Sequence, residues 1–89
     1  MPAWLVIAEE ESGAQRRVTV IRTVSGNRTR EEALGELLRA ARTYVPPSWK
    51  SKVRVVGRDF DGSFWVLPDS GGERGAASCR IRLVEQVHP

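Results

Sequence analysis

Reactive side chains are sparse in this sequence, and their spacing supports little chemistry. The one thiol is Cys79 and the one imidazole is His88. A single Cys and a single His cannot make a tetrahedral zinc site, and a lone Cys forbids an internal disulfide. Cys79 alternates with Ile81 and Leu83, which reads as a buried, inert thiol. No second His or acid is placed by spacing to activate it as a nucleophile. Glu9-Glu10-Glu11 reads as the solvated end of a hairpin; as a metal site it would need carboxylates from elsewhere that the spacing does not supply. Asp59 and Asp61 flank a turn and are explained by turn chemistry. Gly71-Gly72-Glu73-Arg74-Gly75 has the glycines of a phosphate loop, but neither its Lys-Ser/Thr ending nor a following helix. We therefore expect no catalytic residue, no metal and no cofactor.

Recognition by aromatic and guanidinium groups is the chemistry left. The chain has twelve Arg against two Lys, Lys50 and Lys52, and three Trp. Arg is planar, bidentate and able to stack, although a GC-rich genome also enriches it. The net charge of +3 is a mild excess for a nucleic-acid binder of this size. Trp49 follows Pro46-Pro47-Ser48 and reads as a side chain folded over a core edge.

The elements that position these groups are legible in order. Residues 3 to 9 form an apolar, β-branched run and read as a first strand, followed by a turn over 10–15. Arg17 to Val24 alternates, with Val18, Val20 and Val24 on one face and Thr19, Ile21 and Thr23 on the other. Thr29-Arg30-Glu31-Glu32 is a capping box, and apolar residues follow at 33/34, 37/38, 41 and 44/45 until Pro46-Pro47 stops the helix. Gly35 either lets this helix approach the sheet or is simply tolerated. Lys52 to Phe60, Ser63 to Leu67 and Ser78 to Val87 read as three further strands, with a Gly-rich loop over 68–77. The expectation is one α+β domain over residues 1–89, ordered ββαβββ, with a single amphipathic helix on one face of an antiparallel sheet.

A two-residue Asp61-Gly62 turn of type I′ would fix the pairing of the third and fourth strands: Arg58 opposite Trp65, Gly57 opposite Val66. Val53, Val55, Phe64 and Val66, with Cys79, Ile81 and Leu83, then face the helix. The uncovered face carries Arg54, Val56, Arg58, Trp65, Leu67, Arg80, Arg82 and Val84, with Arg58 stacked on Trp65. Three readings of that face compete. Arg stems and the first hairpin shield the apolar groups; or the face contacts a protein, most simply a second copy in a homodimer; or Trp65 and the arginines bind single-stranded nucleic acid. The reading we carry forward is a non-catalytic interaction module working through this face. Which side of the first strand is buried stays open.

The longest apolar run, Ala3 to Ala8, is far short of a membrane span, which needs about 20 residues. No basic segment precedes it, so the expectation is a cytoplasmic chain. Three stretches, Arg-Glu-Glu-Ala-Leu at 30–34, Ala-Arg-Thr-Tyr with a proline pair at 41–47, and Arg-Val-Val-Gly-Arg-Asp-Phe-Asp-Gly-Ser-Phe-Trp-Val at 54–66, together resemble short hypothetical proteins of GC-rich actinobacteria. The resemblance implies a bacterial cytoplasmic protein and carries no site.

Overall fold

Thr29 starts the helix as its sequence requires. In the computed structural model, which describes residues 3–12, 14–46, 54–68 and 78–88, the Glu32 N–H donates to Thr29 Oγ1 and the Thr29 N–H to Glu32 Oε1, both at 3.1 Å. This reciprocal cap satisfies two of the donors that a helix start leaves free. Helix α1 runs Arg30–Thr43 and ends at Tyr44, which turns to extended geometry. Its buried stripe is Ala33, Leu37, Ala40 and Ala41. Leu34 lies at the margin and stays partly exposed. Gly35 is exposed with open space beside it, so it is tolerated rather than used for a close approach.

The strands are β1 (Trp4–Ser12), β2 (Gln15–Val24), β3 (Arg54–Arg58), β4 (Phe64–Pro68) and β5 (Ser78–Glu85). They form one antiparallel sheet in the order β2-β1-β5-β4-β3. The last strand thus lies between the first and the fourth. Helix α1 covers one face, and the core between them is Val6, Ala8, Leu37, Ala40, Ala41, Phe64, Val66, Cys79 and Ile81. Tyr44 and Val45, just past the helix end, pack against its margin. The expected α+β architecture is the one observed. Val6 and Ala8 face the helix, which settles the side of β1 that is buried.

Three local readings need correction. First, β1 extends through Glu9, Glu10 and Glu11 to Ser12; Glu11 is solvated near the hairpin end as expected, but Glu9 and Glu10 are each 7% exposed. Second, Val6 pairs with Arg22 but Ile7 with Val20, so Ile21 is the extra residue of a β-bulge. A bulge shifts the alternation by one. Val18 and Val20 therefore lie away from the helix, while Val24 is buried on the helix side and Ile21 packs against the core.

Third, the β3–β4 loop has three residues, not two. The Gly62 N–H donates to Asp59 O at 3.0 Å and the Asp59 N–H to Ser63 O at 2.8 Å. A type I′ turn needs positive φ at both central residues. Among the described residues only Gly62 has it, at 92°. Asp61 instead accepts from the Ser63 N–H at 2.9 Å and from Ser63 Oγ at 2.6 Å. The pairing shifts by one: Arg58 opposite Phe64, Gly57 opposite Trp65, Val56 opposite Val66 and Val55 opposite Leu67. A one-residue slip turns a strand over. Val56 now packs against the core and Val55 is 52% exposed. Residues 47–53 and 69–77, with the expected roles of Trp49, Val53 and the Gly-rich loop, lie outside the described residues.

The turn can be tested directly. Gly62→Ala is expected to cost about 1–2 kcal/mol, the penalty of a left-handed residue with a Cβ. Asp61→Gly, which would favour a type I′ turn, should instead lose about 1 kcal/mol with the Ser63 bonds. Chemical denaturation of the two variants separates the two turn geometries.

Candidate interaction face

The side of the sheet away from α1 can be built row by row from the pairing. Val20, Ile7 and Arg82 form one row; Val18, Glu9, Arg80, Trp65 and Gly57 form the next. Of the sequence-predicted residues, Trp65, Leu67, Arg80 and Arg82 come together here. Val56 and Arg58 do not: the register slip places them on the helix side, and position 54 falls in their row. Arg58 lies 5.3 Å from the Phe64 ring centroid rather than over Trp65.

Trp65 has a different guanidinium partner. Inserting β5 beside β4 puts Arg80 directly opposite it, with the guanidinium carbon 5.8 Å from the ring centroid. The Trp65 Nε1–H donates to Asp59 Oδ2 at 2.9 Å. Arg80 also donates to Ser63 Oγ at 3.2 Å and forms an ion pair with Asp61. The two Ser63 bonds hold the Asp61 carboxyl below its usual range, with the Arg80 charge adding to this. Trp65 and Arg80 are thereby fixed by the loop that sets the register.

At the centre of the face lies Glu9, a buried carboxylate on an otherwise open surface. Burial by itself would raise its pKa. The Arg16 hydrogen bond and the charges of Arg82 and Arg16 outweigh that, and the net shift is downward. Arg82 Nε lies 2.5 Å from Glu9 Oε1, and Arg16 from β2 closes on Oε2. Residue-type alternation does not reveal this clamp, because the three glutamates look alike in sequence. A signal exists in the hairpin: pairing Ser12 with Gln15 sets Glu11 and Glu10 opposite Arg16 and Arg17. Only the β1–β5 pairing brings Arg82 to Glu9 from the other side.

Apolar groups flank the charged centre. Val18 and Val20 are 54% and 53% exposed on β2, and Val55 and Leu67 are 52% and 39% exposed on the opposite side. Ile7, between Val20 and Arg82, is nearly covered. The arginines of this face, Arg16, Arg80 and Arg82, meet the carboxylates of Glu9 and Asp61, with Glu11 paired opposite Arg16. The net charge of +3 is therefore carried elsewhere on the chain.

On the helix side, Cys79 is buried, and desolvation, followed by the Glu10 and Glu9 charges, pushes its thiol up to about 12. It is a core side chain, as its alternation indicates. A recess of about 530 Å³ beside Gly35 is walled by Arg28, Glu32, Glu36 and Arg39. Arg22 bonds Glu36 at 2.6 Å and Arg28 bonds Glu32 at 2.9 Å. Both carboxyls are held low, Glu36 first by the Arg22 hydrogen bond and Glu32 first by the Thr29 backbone N–H. No group of three or more metal-ligating side chains occurs among the described residues. No helix among them is long and apolar enough to cross a membrane. Compared with known proteins, the chain matches no family model, no curated protein and no solved structure.

The Glu9 clamp predicts a pH dependence. A carboxyl whose folded pKa lies below its unfolded value of 4.5 stabilises the fold above that pH and loses the contribution as pH falls through the folded pKa. The wild-type melting temperature should drop between about pH 5 and pH 3. Glu9→Gln should lower stability at pH 7 by about 1–2 kcal/mol, discounted for the exposure of Arg16 and Arg82, and flatten the acid limb. Calorimetry across that range checks both.

Proposed function

We propose that this chain is a non-catalytic interaction module of a bacterial cytoplasm that self-associates through the sheet face away from α1. The observation that carries the reading is the composition of that face: exposed Val18, Val20, Val55 and Leu67 surround arginines already matched by carboxylates. Isolated exposed valines are ordinary, but several flanking a Trp on one sheet face mark a contact site. A phosphate backbone would have to displace Glu9 and Asp61 from Arg16, Arg80 and Arg82. A base stacking on Trp65 would meet a ring already in cation–π contact with Arg80 and tethered to Asp59. A second copy needs neither change.

The size of the face suits this occupant. Strands spaced about 4.8 Å apart with a rise of about 3.3 Å per residue give five strands of this length a face of about 500–600 Å². Two such faces bury about 1,000–1,200 Å², the lower end of specific interfaces. The expected association is therefore weak and reversible. The non-catalytic part of the proposal is supported by the carboxyls in the recess beside Gly35, which are held low by their partners rather than poised as acid or base.

Sedimentation equilibrium tests the reading. The wild-type chain should show a monomer–dimer equilibrium, and Leu67→Arg or Val20→Arg should weaken it by about tenfold or more, equivalent to about 1.4 kcal/mol. Both sites are solvent-exposed, so the variants should melt like the wild type. A chain that stays monomeric at about 1 mM, where even millimolar affinity would show, overturns the proposal.

A further inference from the structure

The corner of the sheet beneath the first turns of α1 is built short by two strands. Strand β1 follows β5 to the pair Trp4–Glu85, but β4 stops at the pair Phe64–Ile81, where the Phe60-Asp61-Gly62 loop turns the chain back. Beyond Ile81, the edge of β5 that faces β4 has no partner strand among the described residues. Helix α1 still overhangs this corner with Arg30, Leu34 and Leu37. The result is a cleft of about 390 Å³ that a longer β4 would fill, lined by Trp4, Leu34, Leu37 and Leu83 on its apolar side and reached by Arg30, Arg80 and Arg82.

The charges at the cleft are not equivalent. Arg80 is neutralised by Asp61 and Arg82 by Glu9. Arg30 makes no ion pair among the described residues, and it stands at the helix N-terminus, where the helix dipole also favours an anion. An open strand edge, an apolar floor and one unmatched cation together describe a ligand. We infer that this cleft takes an extended, acidic–apolar peptide segment of a partner protein. The segment adds as a short strand along β5 from Arg82 to Glu85, places an apolar side chain against Trp4, Leu37 and Leu83, and sets a carboxylate on Arg30. Strand addition to an open edge supplies affinity through the main chain, and alternate side-chain pockets supply the preference. The surface adjoins the self-association face and shares Arg80 and Arg82 with it, but its apolar contacts come from α1 and the edge of β5.

The test uses a fluorescein-labelled, end-blocked peptide of repeating Val-Thr-Glu-Thr, in which Val and Glu lie on one face of the strand, with Val-Thr-Lys-Thr as the control, followed by anisotropy against the Leu67→Arg chain. That background isolates peptide binding from self-association, so failure of one reading leaves the other standing. Saturable binding of the Val–Glu peptide and not of the Val–Lys peptide is expected. Arg30→Glu should weaken it by about tenfold. Leu34→Trp, which fills the cleft without changing charge, should do the same and so exclude attraction by net charge alone. Leu34 and Arg30 are both solvent-exposed, and thermal melts confirm that the variants fold. No saturable binding at about 1 mM peptide, equal binding of the two peptides, or wild-type binding by Leu34→Trp overturns the proposal.

Discussion

Everything in this fold follows from a single helix seated on a five-stranded sheet. Leu37 and the small residues Ala40 and Ala41 press onto Val6, Ala8, Phe64, Val66, Cys79 and Ile81, and that contact is the core. A chain of 89 residues buries only about 60% of its unfolded surface, less than a larger domain does, so it has little apolar area with which to cover a second face. One helix protects one side of the sheet. The other side has to be made tolerable to water by its own side chains.

The open face meets that requirement with charge pairing. Glu9 is buried between Arg16 and Arg82, Arg80 joins Asp61, and Trp65 is held between Arg80 and Asp59. Arg stems cover apolar surface while their heads find carboxylates. The same pairing means that a phosphate would have to compete with Glu9 and Asp61 for these arginines, which is the ground on which we propose a protein partner rather than a nucleic acid. What the pairing leaves uncovered are the valines and Leu67 at the margins. A buried carboxylate in a surface cluster also couples this face to pH, because protonating Glu9 removes the charge that Arg16 and Arg82 share.

Some of this was legible beforehand. The capping box, the helical stripe and its proline stop placed α1 almost to the residue, and the alternation Cys79, Ile81, Leu83 read the faces of β5 correctly. Phe64 and Val66 were also assigned to the right side. The faces of β3 and of part of β2 were not, for one shared reason: each strand has period two, so one residue gained or lost in a turn or bulge reverses everything beyond it. Asp61 declines a left-handed conformation and bonds Ser63 instead, which moves Val56 and Arg58 to the helix side of the sheet, where Val56 packs against the core and Arg58 stays exposed. Ile21 enters as a bulge, which sends Val18 and Val20 to the open face.

The sequence by itself determined the element types, the one-helix economy of the fold and the membership of Trp65, Leu67, Arg80 and Arg82 in the uncovered face, because these rest on local capping, proline sterics and short-range periodicity. Tertiary structure alone decided the strand order β2-β1-β5-β4-β3, the partner of Trp65, the burial of Glu9 and the cleft beside Arg30. These depend on β5 entering between β1 and β4, a pairing that sets Ile7 opposite Arg82 and so joins segments about 75 residues apart. No local propensity encodes such a pairing; it is selected by which arrangement covers the helix face while leaving every buried charge with a partner.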